Sequence, residues 1–237
     1  MSEFLTTRWS IVLAASGSAE SCEAALARLC EAYWQPLYDY VRRQGYDATA
    51  AGDLTQDFFA HLLEKKWLDG IEREGAKFRS FLLRSMQWVI ADDRRRQVVQ
   101  KRDYRRTLRL QFDREQAEGQ YLQEPATEDA TPEEAFDRQW ALTLLDRAMT
   151  RLRLETRQGG KELWFDALCG FLSTEPGAGD YERISQQFAV SRNAIASAVK
   201  RLRTRYREMI RYEVADTLVD AGGVEVEMQE LFAALRR

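Results

Sequence analysis

The side chains with the clearest chemical potential are cations that recur near the C-terminal end, between Asp180 and Arg211. Guanidinium and ammonium groups bind phosphate oxygens, and here they follow one another along a single run. The run contains Lys200, Arg201, Arg203, Arg205, Arg207 and Arg211. At its start Arg192, Asn193 and Ser197 carry donors and acceptors of the kind that meet base edges in a major groove. The residue types and their spacing predict a surface that contacts DNA.

Two short periodic segments must position these side chains. Ile184 and Phe188 lie one helical turn apart, the pattern breaks at residues 189–191, and Ile195 and Val199 then share one face with Leu202. Ser191 is the expected N-cap of the second segment, because its hydroxyl can accept from a free backbone N–H of the first turn. This pattern predicts a helix-turn-helix with an apolar inner face and a cationic outer face. The alternative is a solvated basic face on a helix that only packs.

Residues for catalysis or metal binding are sparse. His61 is the only histidine and is expected to be structural, and the three cysteines, Cys22, Cys30 and Cys169, are scattered. There is no glycine-rich phosphate loop and no nucleophile with a base at a useful spacing. The chain is therefore predicted not to be an enzyme and to need no cofactor or metal.

Charge is segregated along the chain, although the formal net charge is only -3. Residues 94–109 hold eight basic side chains and one acid, whereas residues 113–134 hold eight acids and one base. Local patches influence nucleic-acid binding more than the sum does. The N-terminal stretch has neither a signal peptide pattern nor a spanning apolar run, so a cytoplasmic protein without membrane insertion is expected.

Helical periodicity dominates the rest of the chain, and the length of 237 residues favours two domains. A capping box at Thr131, Pro132 and Glu134 predicts the start of a helix after the acidic segment. The fold class is predicted as all-α, with two helical domains joined by an acidic linker and a helix-turn-helix in the second. The predicted boundaries are 1–112, a linker over 113–131, a helix-turn-helix domain over 132–211, and a C-terminal helical extension over 212–237.

Four segments occur in a recognisable order: DLTQDFF, KFRSFLLRSMQWVIADDRRR, an acidic linker with EEAFDRQWALTLLDRAMTRL, and the helix-turn-helix. In this order the chain resembles the extracytoplasmic-function sigma factors of bacterial RNA polymerase. It is similar to a subgroup with a TTRWS opening, an AYWQPLY segment and a C-terminal extension. The resemblance implies binding to core RNA polymerase, recognition of the minus-thirty-five and minus-ten promoter elements, and promoter melting to start transcription.

Site residues follow from the resemblance position by position. It implies polymerase docking through Asp53, Gln56 and Asp57. It implies minus-ten recognition and melting of single-stranded promoter DNA by Lys77, Phe78, Arg79, Gln87, Trp88, Asp92, Arg95 and Arg96. It implies contact with the duplex minus-thirty-five element by Ser191, Arg192, Asn193, Ser197, Lys200, Arg201, Arg203 and Arg205.

The sequence also departs from the family pattern and leaves alternatives open. Gly52 stands where the docking helix usually carries Glu, so a phosphate on Thr55 is a hypothesis for restoring negative charge, with a Ser/Thr kinase as partner. The alternative is that Thr55 is a tolerated helix residue. The extension is expected to pack on the second domain, mask its basic helix or receive a regulator such as an anti-sigma factor. A helix-turn-helix repressor or activator that acts without core polymerase remains the competing function.

Overall fold

The computed structural model describes residues 19–63, 77–99, 114–123, 130–218 and 221–236. Within these ranges every regular element is helical, which confirms the all-α prediction. The α-helices are α1 (Ala19–Arg43), α2 (Ala48–Leu63), α3 (Phe78–Val99), α4 (Arg114–Gln123), α5 (Pro132–Gln158), α6 (Glu162–Leu168), α7 (Asp180–Phe188), α8 (Arg192–Ala215) and α9 (Val224–Ala234). Short 3-10 turns cover Cys169–Leu172 and Ala221–Gly223. The TTRWS opening lies outside the described residues.

The chain divides into two compact units whose boundaries differ from the predicted domains. The first unit comprises residues 1–143 and 214–237, and the second comprises residues 144–213. The boundary therefore falls inside α5, and the C-terminal extension belongs to the first unit. The expectation that the extension packs on the second domain is wrong for this reason.

The predicted acidic linker contains a helix, α4, that packs on α1 within the first unit. Ala117 of α4 is only 2% exposed, and its carbonyl accepts a hydrogen bond from Nε2 of Gln35 at 3.0 Å. Glu118 pairs with the guanidinium of Arg42 at 2.8 Å, and this hydrogen bond lowers the pKa of Glu118 below its ordinary range. A small residue that permits close approach and an acid with a cationic partner thus hold part of the linker against α1.

Aromatic side chains fill the core of the first unit. Tyr33 and Phe78 meet edge to face with ring centroids 5.1 Å apart, and Nε1 of Trp140 donates to Oη of Tyr33 at 3.0 Å. Phe58 and Phe59 are also buried, as the helical period of α2 predicts. Each ring buries a large apolar area, so these contacts contribute strongly to the stability of the unit.

Helix α5 begins at the predicted capping box. The backbone N–H of Glu134 donates to Oγ1 of Thr131 at 3.2 Å, and the backbone N–H of Thr131 donates to Oε2 of Glu134 at 3.0 Å. Two backbone donors that the helix leaves without partners are satisfied reciprocally. Pro132 occupies the first helical position, where its missing N–H costs nothing.

Candidate nucleic-acid interface

Helices α7 and α8 are joined by three residues, 189–191, whose conformation is tightly specified. Ala189 has φ 52° and ψ 41°, in the left-handed region that favours glycine. The backbone N–H of Val190 donates to the carbonyl of Ser185 at 3.1 Å, which closes the end of α7. Oγ of Ser191 accepts from the backbone N–H of Ala194 at 3.2 Å, so the predicted N-cap of α8 is confirmed.

Burial fixes which face of α8 is presented to solvent. Ile195, Ala198 and Val199 lie in an apolar cluster with Ile184 of α7 and Leu168 of α6. Leu202 is partly buried against the same cluster, as the sequence predicts. The opposite face of α8 exposes Arg192, Asn193, Ala196, Ser197, Lys200 and Arg201. The apolar face thus holds the helix in the second unit while the polar face remains accessible.

Several cations of α8 are exposed to solvent. Lys200, Arg201 and Arg207 are exposed, and among the residues that the structure describes none of them forms an ion pair. Arg192 is also exposed and makes a surface ion pair with Glu182 at 3.3 Å. Exposed pairs of this kind contribute little, so Arg192 can exchange its partner for a phosphate at low cost.

Arg203 and Arg205, which belong to the predicted DNA-binding set, both have partners inside the second unit. Nε of Arg203 donates to the carbonyl of Phe171 at 2.8 Å, and its guanidinium pairs with Glu175 at 3.0 Å. Arg205 pairs with Glu155 at 2.7 Å, and this hydrogen bond raises the pKa of Arg205 and lowers that of Glu155. Arg203 attaches α8 to the segment that follows α6 through the carbonyl of Phe171. The side chain of Arg205 is 46% exposed, so its ion pair with Glu155 can be exchanged for a phosphate in the same way as that of Arg192.

Helix α3 presents a second exposed polar face in the first unit. Its members recur at helical spacing, and they are Ser80, Arg84, Gln87, Trp88, Ala91, Arg94 and Arg95. Trp88 is 57% exposed, which is unusual for so large an aromatic side chain. Nε2 of Gln87 donates to Oε1 of Glu133 at 3.2 Å, and Arg95 lies 3.9 Å from Asp92 in a loose ion pair. Gln87, Trp88 and Arg95 therefore lie on one face, with the half-buried Asp92 beside them, and the side chain of Arg96 lies outside the described residues.

The start of α3 corrects another part of the predicted melting surface. Phe78 is 0% exposed, packs on Tyr33 and Phe81, and donates its backbone N–H to the carbonyl of Thr217 at 3.4 Å. A ring in this position belongs to the core and is not presented for stacking on a base. Arg79 is 7% exposed, and its guanidinium lies 4.3 Å above the ring of Trp140.

Lys77 and Arg79 are both paired with carboxylates of the C-terminal helix. Nζ of Lys77 lies 2.7 Å from Glu227 and 2.7 Å from Glu230. Arg79 lies 3.2 Å from Glu227 and 2.6 Å from Glu230, and it also pairs with Asp137 of α5. Burial opposes charge on both cations, yet the carboxylates raise the pKa of Lys77 and of Arg79 above their ordinary values. Sequence reasoning missed both glutamates.

Helix α2 carries the predicted polymerase-docking residues and the predicted phosphosite. Asp53 and Gln56 are half-buried and Asp57 is exposed, so these polar groups reach the surface. Thr55 is 0% exposed, and its hydroxyl has no hydrogen-bond partner in the part of the chain that the structure describes. A kinase cannot reach this hydroxyl while α2 is folded, which removes the basis of the phosphorylation hypothesis. The sequence held the signal, because Thr55 lies at helical spacing from Ala51 and shares its buried stripe.

Within the described part of the chain, no group of three or more His, Cys, Asp or Glu side chains is placed to hold a metal ion. The helices described there include none with the length and apolarity needed to cross a bilayer. Comparison with family models, with curated proteins and with solved structures gives no match.

Proposed function

We propose that this protein is a sigma factor of the extracytoplasmic-function type, which binds core RNA polymerase and directs it to promoters. The observation that carries the proposal is the geometry of α7, the three-residue turn at 189–191 and α8, which we interpret as a helix-turn-helix. Its inner face is fixed by Ile195 and Val199, while its first two turns expose Arg192, Asn193 and Ser197. In such motifs the N-terminal residues of the second helix contact base edges in the major groove.

The exposed cations of α8 supply the part of binding that does not depend on sequence. Lys200 and Arg201 follow the polar residues of the first turns on the accessible side of the helix. Contacts to phosphate orient a protein on duplex DNA, whereas base contacts provide discrimination. In the proposed function these two side chains place α8 on the minus-thirty-five element so that Asn193 and Ser197 meet the bases.

The exposed face of α3 supports a role in strand opening. Trp88 offers an aromatic surface, and Arg84, Gln87 and Arg95 place polar and cationic groups around it. Single-stranded nucleic acid binds to surfaces that combine stacking rings with positive charge, and each stacked base contributes about 1–3 kcal/mol. In the proposed function this face holds unpaired bases of the minus-ten element, while the chemistry of RNA synthesis belongs to the polymerase.

The surface of α2 is the proposed contact with core polymerase. Asp53, Gln56 and Asp57 supply two carboxylates and an amide at positions that are not fully buried. Carboxylates on one helix face complement a basic partner surface and increase the association rate. Gly52 supplies no side chain at the position where relatives commonly carry another acid, so the docking contact is expected to be weaker than in those relatives.

The decisive experiment combines polymerase binding with transcription in vitro. Purified protein is mixed with core polymerase. Formation of the complex is measured first, and promoter-dependent RNA synthesis by that complex is measured second. Lys200→Gln with Arg201→Gln should make the dependence of duplex affinity on salt shallower by roughly 0.9 per cation in log–log slope. Lys161→Gln is the matched control, because Lys161 is an exposed cation of the second unit that lies outside α8. An unchanged slope in the double variant would contradict this assignment of α8.

A second candidate is a helix-turn-helix repressor or activator that acts without core polymerase. It is favoured by one observation: Lys77, Phe78 and Arg79, which the resemblance assigns to promoter melting, are engaged within the first unit. Tight duplex binding together with no affinity for core polymerase would select this function. Transcription that depends on both the protein and core polymerase would exclude it.

A further inference from the structure

A charged cluster in the first unit joins the start of α3 to the C-terminal helix. The side chain of Glu227 is only 1% exposed, and its carboxylate lies 2.7 Å from Lys77 and 3.2 Å from Arg79. The period of α9 puts Glu227 in the buried stripe, because Val224 and Leu231 lie three residues before and four residues after it. A carboxylate in this position needs cationic partners, since an unpaired buried charge is very costly.

The charges in this cluster leave nothing positive for a ligand. Two cations, Lys77 and Arg79, meet three carboxylates, those of Asp137, Glu227 and Glu230. The local formal charge is therefore 2 − 3 = −1. Only 28% of the Lys77 side chain and 9% of the Arg79 side chain are exposed. While α9 is docked, these cations do not contribute attraction toward a polyanion.

The cluster continues directly into the exposed face of α3. Arg79 ends a shallow groove whose other members lie along α3 and at the start of α5. The groove is lined by Arg79, Ser80, Leu83, Arg84, Gln87 and Asp137. A phosphodiester chain that followed this groove from Gln87 would reach Arg79, which lies two residues after Lys77. Carboxylate and phosphate oxygens make the same charge-assisted contacts to ammonium and guanidinium groups.

We propose that Lys77 and Arg79 form a binding site for the phosphates of single-stranded nucleic acid, and that Glu227 and Glu230 of α9 occupy this site as an internal competitor. The inference depends on the proposed function, because it extends the strand-binding face of α3. Undocking of α9 removes both carboxylate partners of Lys77 and leaves Arg79 paired with Asp137 of α5. The ion pairs themselves add little net stability once desolvation is included, so the docking of α9 depends mainly on its buried apolar residues Val224, Met228 and Leu231.

Of the two competing glutamates, Glu230 is the easier one for a phosphate to displace. Its side chain is 43% exposed, although it contacts both Lys77 and Arg79. Burial disfavours its charge, but the two cations lower the pKa of Glu230 below its ordinary range, so it is ionised at neutral pH. An incoming phosphate can displace Glu230 from the solvent side before Glu227 is exposed. The site therefore has an accessible outer half and a closed inner half.

The first test measures binding of a labelled single-stranded oligothymidine to the full chain over a salt series, without polymerase. Glu227→Gln with Glu230→Gln removes the competing charges, and Glu225→Gln is the control on the exposed side of the same helix. The double variant should bind more tightly at low salt, with a log–log slope steeper by about 0.7 to 1.4, because each released cation contributes about 0.7 and Arg79 keeps Asp137 as a partner. Addition of Lys77→Gln should remove at least half of this gain. Equal slopes for the wild type and the double variant overturn the proposal.

The second test uses the wild-type chain, so it does not depend on a variant that folds. Hydrogen exchange of the backbone amides in α9 is compared with and without the oligothymidine. The proposal expects loss of protection in α9 when the strand binds, and unchanged protection in the bound state overturns it. Neither test contains polymerase, so failure to bind polymerase refutes the proposed function and leaves both measurements intact. If the protein supports polymerase-dependent transcription but the wild type and the double variant bind oligothymidine with equal salt slopes, only the competitor role of α9 is refuted.

Discussion

Ala189 offers a sharp test of the turn that presents α8, because its backbone conformation is one that alanine rarely adopts. Its φ is 52°, and among the residues that the structure describes it is the only non-glycine residue with a positive φ. The left-handed conformation costs an alanine about 1–2 kcal/mol relative to glycine. Ala189→Gly removes this strain, while the added freedom of the unfolded chain offsets about 0.4–1 kcal/mol. The net expectation is a second unit that is more stable by about 0.5 kcal/mol.

Ala196→Gly is the matched control for this substitution. Ala196 is exposed in the middle of α8, where glycine costs about 1 kcal/mol relative to alanine. The two alanine-to-glycine variants should therefore differ by about 1.5 kcal/mol, which corresponds to roughly tenfold in an opening equilibrium. Hydrogen exchange of peptides from α7 and α8 measures this ratio directly in the full chain.

The outcome separates the described turn from any ordinary helical connection. Slower exchange in Ala189→Gly and faster exchange in Ala196→Gly agree with a left-handed residue between α7 and α8. If both variants lose protection by the same amount, Ala189 has a conformation that alanine tolerates well. The geometry that directs α8 outward would then be wrong, and the assignment of Arg192 and Asn193 to base contacts would lose its support.

Three further predictions follow from individual side chains. Thr55→Val should stabilise the first unit by about 1 kcal/mol in urea unfolding, because it replaces a buried hydroxyl that has no hydrogen-bond partner among the described residues. Thr55→Glu should destabilise the unit severely, because it buries a charge. Equal effects of the two substitutions would contradict the burial of Thr55. Trp88→Ala should weaken binding of single-stranded promoter DNA by about 1–3 kcal/mol. Leu163→Ala, at a residue 78% exposed, is the control for loss of a surface apolar group and should leave this binding unchanged. Glu118→Gln should lower stability at pH 7 by about 0.2–1 kcal/mol, the range of solvent-screened ion pairs, because it removes the charge that Arg42 contacts. The Arg42 hydrogen bond lowers the pKa of Glu118 from its ordinary value of 4.5. A depressed carboxyl pKa contributes stability above pH 4.5 that is lost as the pH falls through the folded-state value, so the difference between the variant and the wild type should shrink below pH 4.5; a constant difference would show that Glu118 acts through packing.

Pairing inside each unit changes the interpretation of the basic residues in this chain. Arg203 binds a backbone carbonyl of its own unit, and Arg205 is held in an exposed ion pair with Glu155. Lys77 and Arg79 pair with the carboxylates of α9. The count of cations along a helix therefore overestimates the charge available to phosphate. Salt dependence measured on single variants separates the two groups, because only cations that release counterions change the slope.

Local structure was determined by the sequence alone. The capping box of Thr131 and Glu134 and the cap at Ser191 depend on residues within one turn of each other, so their hydrogen bonds follow from spacing. The apolar stripe of α8 and its accessible face follow from the helical period for the same reason. The burial of Thr55 was also available from that period, although the hypothesis of a phosphosite overlooked it.

Only the tertiary structure decided which charged groups meet. Lys77 and Arg79 are separated from Glu230 by about 150 positions, and no local pattern relates them. Glu118 meets Arg42 because α4 packs on α1. Composition alone assigns Glu118 to a linker and Arg42 to a core helix, so it does not predict this contact. A charged side chain takes the partner that the fold brings within a few ångströms, because the interaction falls off with distance in space and is indifferent to distance along the chain.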